Sequence, residues 1–422
     1  MKTKRTRTTL SNGLPLVVVE IPHSTSLAAS FWTRAGDRAN PVGKAGMAHF
    51  LEHLLALKTK NYPTDANLSE VLGRVGAIKN GSTSKDWMNL NIVSPAKEIS
   101  LVLSVLAQMA FSPRIDKKGF DSERKVIFQE QTRKKSRTEE LALAVWSKLF
   151  FNPSPLTVSG LGDERSLGSI EIVDVLEFWD KFFHADNNLL FLSGGINPKE
   201  AFEQAEQTFG IHEVRREVPV PVYKYQNVKR VLIERKLLPQ AFMVLSFRID
   251  PADFAKDVYA LILLKSILAG GTFSRIFQRL RVKESLIYNM GSSIQRFIDT
   301  AAYRINLSTS NDKFNKMISV LCEEIVGLRE KGISKSELEF HKGFLQGRIL
   351  TEFETSRSYV DWYASYELLW PDEVESPEER IARINKVTLG DIERIAKKYL
   401  RKDNWHLAVV GDVREKDIKV EF

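Results

Sequence analysis

The segment His49-Phe50-Leu51-Glu52-His53 carries two imidazoles and a carboxylate within five residues. On a helix, residues four apart stand one above the other, so His49 and His53 share one side with Glu52 beside them. That is the arrangement of a metal site with a proton acceptor next to it. Met47, Phe50, Leu51, Leu54 and Leu55 recur at three-and-four spacing, which predicts an amphipathic helix over 43–58 with that apolar stripe on the core. The histidines and Glu52 project from the other side. Between Lys44 and Lys58 the only charged residue is Glu52, so the back of the helix should line a cavity rather than meet bulk solvent. The plainer alternative is a pair of core histidines satisfied by hydrogen bonds, and the intervening glutamate counts against it.

Two nitrogens do not hold a catalytic zinc, which usually takes three protein ligands and keeps a fourth position for water. Glu123 and Glu130, seven residues apart in Ser122-Glu123-Arg124-Lys125-Val126-Ile127-Phe128-Gln129-Glu130, would stack two turns apart on one helical face. One carboxylate could bind metal and the other could orient the ligands. Alone, such a pair is ordinary on a solvated helix; its partnership with the histidine segment is what singles it out.

The order H-x-x-E-H, followed downstream by E-R-x-V-x-x-x-E, resembles the pitrilysin family of inverzincins. The length is similar to its smaller two-domain branch, which includes the mitochondrial processing peptidase and bacterial relatives. The resemblance implies one zinc ion per chain with His49, His53 and Glu130 as ligands, Glu52 as general base and Glu123 as a supporting carboxylate. It extends to Leu10-Ser11-Asn12-Gly13-Leu14, to Ala35-Gly36-Asp37-Arg38, and to Asn80-Gly81-Ser82-Thr83-Ser84, where it assigns Asn80 to substrate binding. Without it, Asn-Gly reads equally well as a tight turn. In the second half, Gly270-Gly271-Thr272-Phe273-Ser274-Arg275-Ile276-Phe277 leads through Arg281 to Tyr288. By resemblance Arg281 and Tyr288 hold the substrate and its developing oxyanion; without it they are a surface residue and a core or interface residue.

These side chains must be positioned by a chain of 422 residues, too long for one ordinary core and about right for two. Charges around Val218-Pro219-Val220-Pro221 predict an extended linker over 213–229, dividing an N-terminal zinc-site domain (1–212) from a C-terminal one (230–422). Leu167-Gly168-Ser169-Ile170 opens a helical run ending in an apolar strand and Gly194-Gly195. Leu389-Gly390-Asp391-Ile392 does the same before Gly411-Asp412, which predicts an internal duplication. Strand-like runs such as 242–247 mixed with long amphipathic helices such as 314–330 give the fold class: α+β, two homologous sandwich-like domains facing each other across a cleft.

Composition narrows the remaining classes. Apolar content is ordinary and no apolar run approaches bilayer length, so no membrane is expected. Lys2, Lys4, Arg5 and Arg7 precede no apolar stretch of signal-peptide length, and the single Cys322 can form no internal disulfide; both favour the cytoplasm. The net charge of +8 comes with a basic cluster, Arg133-Lys134-Lys135-Ser136-Arg137, but without a nucleic-acid motif. The expectation is a zinc metalloendopeptidase acting on short or unfolded peptides held in extended form. The rival is a scaffold or partner subunit of the same fold, which would lack part of the metal set. Because one chain carries both the metal set and the Arg281–Tyr288 pair, a self-sufficient homodimer is expected, a hetero-oligomer with a homologous subunit being the alternative.

Overall fold

The computed structural model describes residues 3–184, 186–213, 218–225 and 229–421, which gather into two compact units. The first comprises the chain through Gln131, Ser159–Pro221 and Glu352–Val374. Its sheet is built from β1 (Lys4–Thr9), β2 (Pro15–Glu20), β3 (Ser26–Thr33), β4 (Ile78–Thr83), β5 (Met88–Pro95) and β6 (Asn188–Gly194), in the order β1-β2-β6-β3-β5-β4. β2 and β6 run parallel and the other pairs antiparallel. β2 and β6 read as unbroken apolar runs because both faces of the sheet are covered. Leu16 and Val18 turn toward a core with Phe31, Phe50 and Leu106, whereas Val17 and Val19 meet Tyr359, Val360 and Tyr363 of the helix Ser356–Leu369.

The second unit holds β7 (Val231–Arg235), β8 (Gln240–Ile249), β9 (Asn289–Arg296), β10 (Ala301–Ser310) and β11 (Trp405–Gly411), ordered β7-β11-β8-β10-β9. β11 lies parallel to β7 and antiparallel to β8, as β6 does to β2 and β3. With β1 set aside, the two sheets have the same order and sense, so the duplication expected from the Leu-Gly helical openings is present in the topology. Trp146 and Phe150 of the helix Thr138–Phe150 pack with Val244 and Ala408 of this sheet.

The contiguous division at 213–229 does not describe these units. The helix Thr138–Phe150 comes from the first half of the chain and belongs to the second unit, and Ser356–Leu369 does the reverse. Each supplies the apolar cover for a sheet face that its own half leaves bare. Residues 214–217 and 226–228 of the expected linker lie outside the described residues. The part that is described has no regular structure and is tied down at both ends. Val218 exchanges two hydrogen bonds with the Asn187 amide, and Tyr223 N donates to Asp299 at 2.9 Å.

Candidate metal centre

The helix that bears the histidines spans Met47–Leu55, shorter than the 43–58 that periodicity predicts. It cannot start earlier because Gly46 turns left-handed at φ 94°, pressed so close to Leu161 O that a Cβ there would stand 2.9 Å away. Asn40 Oδ1 accepts from Ala48 N at 2.9 Å and satisfies one of the open amides of the first turn. Met47, Ala48, Phe50, Leu51, Leu54 and Leu55 are buried, while His49, Glu52 and His53 are half-buried on the opposite side. The apolar stripe therefore fixes where the polar triplet points.

Glu123 and Glu130 lie on the helix Lys117–Ser136. Phe120 and Ile127 are its buried anchors, and the Phe120 ring stacks on Phe50 with centroids 4.7 Å apart. Since 120 and 127 have the same seven-residue spacing as 123 and 130, anchoring the first pair turns the second toward the histidines. Gln131 Nε2 donates to Leu161 O at 2.8 Å, fastening the same helix to the loop that closes on Gly46.

One donor atom from each of His49, His53 and Glu130 lies within 4.8 Å of the other two. Glu130 Oε2 stands 3.8 Å from His49 Nε2 and 3.9 Å from His53 Nε2, too far for hydrogen bonds. Ligands about 2.1 Å from a tetrahedral zinc would be about 3.4 Å apart. A slightly expanded version of that triangle is what the three residues form, and two imidazoles with one carboxylate is a donor set suited to zinc. His53 Nδ1 donates to Glu123 Oε2 at 3.0 Å, which turns Nε2 toward the cluster. The residues fit the ion.

Glu52 lies beside the triangle without belonging to it. Its Oε2 accepts from Thr83 Oγ1 at 2.7 Å, and its side chain covers Gly81, where a Cβ would come within 2.6 Å of Oε1. Burial pushes the Glu52 carboxyl above the ordinary carboxylate range, helped by the like charge of Glu130; the Thr83 hydrogen bond and His53 oppose the shift without cancelling it. Burial also disfavours charge on His53. The Glu123 hydrogen bond, with the Glu52 and Glu130 carboxylates, more than offsets it and holds the imidazole above its usual value.

Asn80 sits on β4, so the Asn-Gly pair forms strand and not a tight turn. Its side chain is exposed on the sheet face opposite Gly81 and Thr83, with Oδ1 accepting from Gly81 N. β4 is the terminal strand of its sheet. Arg281 and Tyr288 belong to the second unit. Arg281 lies in a π-helical segment, Phe277–Lys283, and donates through Nη1 to Ile287 O at 2.8 Å. Tyr288 is 54% exposed and anchored by its backbone to Ser308 O. The structure thus brings His49, Glu52, His53, Glu123 and Glu130 together within the first unit and adds Gly81 and Thr83, which the sequence reading passed over. The available signal was strand phase: if the histidine helix packs on β4, residues 79, 81 and 83 must face it together.

Residues 16–161 match the family model described as Insulinase (Peptidase family M16), and residues 169–345 match the one described as Peptidase M16 inactive domain. The chain is 24% identical over 405 residues to an uncharacterized zinc protease of Bacillus subtilis, covering 96% of this chain and 98% of that one. An uncharacterized zinc protease of Rickettsia felis is 26% identical, with 92% and 93% covered. Among solved structures, a protease from Helicobacter pylori superposes with a TM-score of 0.88 at 20% identity, covering 97% of this chain and 100% of that one. A structure from Pseudomonas fluorescens titled peptidase M16 inactive domain gives 0.87 at 16% identity, covering 97% and 98%. These likenesses carry the two-unit α+β fold.

Proposed function

We infer that this chain, which belongs to peptidase family M16, is a zinc-dependent endopeptidase acting on short or unfolded peptides. The observation that carries the reading is the convergence of His49 Nε2, His53 Nε2 and a Glu130 carboxylate oxygen from two helices, with Glu52 alongside. Relatives along nearly the whole chain are named zinc proteases, which supports the same conclusion.

A zinc ion held by these three residues would act as a Lewis acid and make water nucleophilic near neutral pH. Glu52 takes the proton from the attacking water and returns it to the leaving amine; a carboxyl raised by burial is suited to both transfers. Glu123 keeps His53 in one tautomer and orientation. The substrate lies extended along the terminal strand β4, pairing main chain with main chain, so that affinity depends little on its side chains. Arg281 and Tyr288 supply donors for substrate and oxyanion. Because one chain carries every one of these residues, it needs no second gene product, and we assign it a homodimeric state to be read by light scattering.

The test is metal analysis joined to digestion of a mixed unstructured peptide library. Wild type should bind about one zinc per chain and cleave, while Glu52→Gln should keep the zinc and lose at least ~100-fold in turnover. His53→Ala and Glu130→Ala should lose the metal. A zinc-supplied wild type that neither binds the ion nor cleaves any member of the library would end the enzyme reading.

A further inference from the structure

Strand alternation decides which side chains of β4 meet the histidine helix. Lys79, Gly81 and Thr83 share that face: Lys79 Nζ donates to Ala56 O at the helix end, Gly81 lies beneath the Glu52 side chain, and Thr83 Oγ1 donates to Glu52 Oε2. A free glutamate side chain turns about three bonds, and a proton acceptor helps a reaction only where its oxygen is held within reach. The carboxylate here has one oxygen bonded to a hydroxyl and the other over a residue with no side chain.

We propose that Thr83 is the positioning residue for the general base: its hydroxyl fixes Oε2 of Glu52, so that Oε1, the oxygen over Gly81, is the one that takes up the proton. The proposal rests on the peptidase reading above and adds a residue to it. Thr83 suits the task because a β-branched side chain on a strand has few rotamers to choose among.

Its backbone is fastened as well. Asp37 N and Arg38 N donate at 2.9 Å to Ser84 O and Lys85 O, immediately after Thr83. The Arg38 guanidinium, 1% exposed, bonds through Nε to Asp86 Oδ1 at 2.6 Å, and Lys85 Nζ lies 3.2 Å from Asp37. Two adjacent acid–base pairs thus clamp the turn after β4 to the loop before the histidine helix. The strand that presents Thr83 and the helix that presents Glu52 are held in register from outside the site.

The experiment compares Thr83→Val, which removes the hydroxyl at similar volume, with Thr83→Ser, which keeps it. On zinc-loaded protein and a peptide that wild type cleaves, the valine variant should lose roughly 10- to 100-fold in kcat with KM nearly unchanged, and serine should restore most of the rate. Zinc affinity, read by chelator competition, should be the same in all three. In chelated, metal-free protein, Thr83→Val should lower Tm by about 1–4 °C in the wild-type background and by markedly less in Glu52→Ala, where the acceptor is gone. Equal loss of kcat in the valine and serine variants, an unchanged kcat in valine, or a Tm shift undiminished in Glu52→Ala would each overturn the proposal. A wild type inert toward all peptides while the Tm coupling persists would instead overturn the peptidase reading, so the two failures are distinguishable.

Discussion

Glu123 Oε2 stands 3.0 Å from His53 Nδ1, the two residues belonging to different helices held together by the Phe50–Phe120 stack. A ring nitrogen that donates to a carboxylate leaves the opposite nitrogen as acceptor, and that nitrogen is the one facing Glu130. The orientation of the imidazole is therefore set before any ion arrives.

Removing that partner should weaken zinc binding without abolishing it. Glu123→Ala is expected to reduce affinity by roughly 10- to 100-fold, with Glu123→Gln nearer the lower figure because its amide oxygen can still accept. Chelator competition measures both. An alanine variant with wild-type affinity would leave Glu123 without a role at the metal.

A side chain at Gly81 should displace the general base. The Cβ of an alanine would lie 2.6 Å from Glu52 Oε1 and 2.7 Å from Cγ, so the carboxylate must move. Because shifts of about 1 Å in a reacting group can cost on the order of 100-fold, Gly81→Ala is predicted to lower kcat by 10- to 100-fold while zinc content stays constant. Steady-state kinetics with metal analysis tests this, and a full-rate alanine variant would refute it.

Tyr288 presents an exposed phenol in the second unit. If that hydroxyl stabilises the oxyanion, Tyr288→Phe should cut kcat by roughly 10- to 100-fold and leave zinc content and Tm alone. Normal turnover in the phenylalanine variant would make Tyr288 an ordinary surface residue.

Acid should destabilise the chain partly through His406. Burial, followed by the charges of Arg248 and Arg230, holds this imidazole at about 3 against an ordinary 6.5. The unfolded chain therefore binds the extra proton first, so the histidine's contribution is fully present above pH 6.5 and is lost as pH falls from 6.5 toward 3. Two pH units into that window correspond to roughly 2–3 kcal/mol. His406→Gln should show a smaller drop in Tm between about pH 7 and pH 4.5 than wild type; the other titrating groups are common to both proteins and cancel in the difference, and chelator keeps both metal-free. Parallel pH profiles for the two proteins would exclude the histidine as a cause.

The clustering of His49, His53 and Glu130 was legible in the sequence because it follows from local spacing on regular helices. His49 and His53 follow the helical repeat, and Glu123 with Glu130 follow the spacing of their own anchors Phe120 and Ile127. The start of the histidine helix was not legible, since Gly46 reads as one glycine among several until its contact with Leu161 is known. Thr83 and Gly81 were hidden for a different reason: a strand pattern shows alternation but not which phase meets a neighbouring helix. The duplication could be read from two similar helix openings. The ownership of the helices Thr138–Phe150 and Ser356–Leu369 could not, because an apolar stripe announces that a helix is covered without saying by what.

That crossed ownership has a consequence for how the chain is made. Val17, Val19, Trp32 and Phe191 all lie in the first half of the chain, yet the residues that shield them, Tyr359, Val360 and Tyr363, leave the ribosome only when most of the polypeptide already has. Between the synthesis of β6 (Asn188–Gly194) and that of the helix Ser356–Leu369, the nascent first sheet would carry an unshielded apolar face, a surface of the kind that holding chaperones bind. A fragment ending near residue 212 would keep that face for good, so its insolubility would reflect a missing cover and not a faulty sheet.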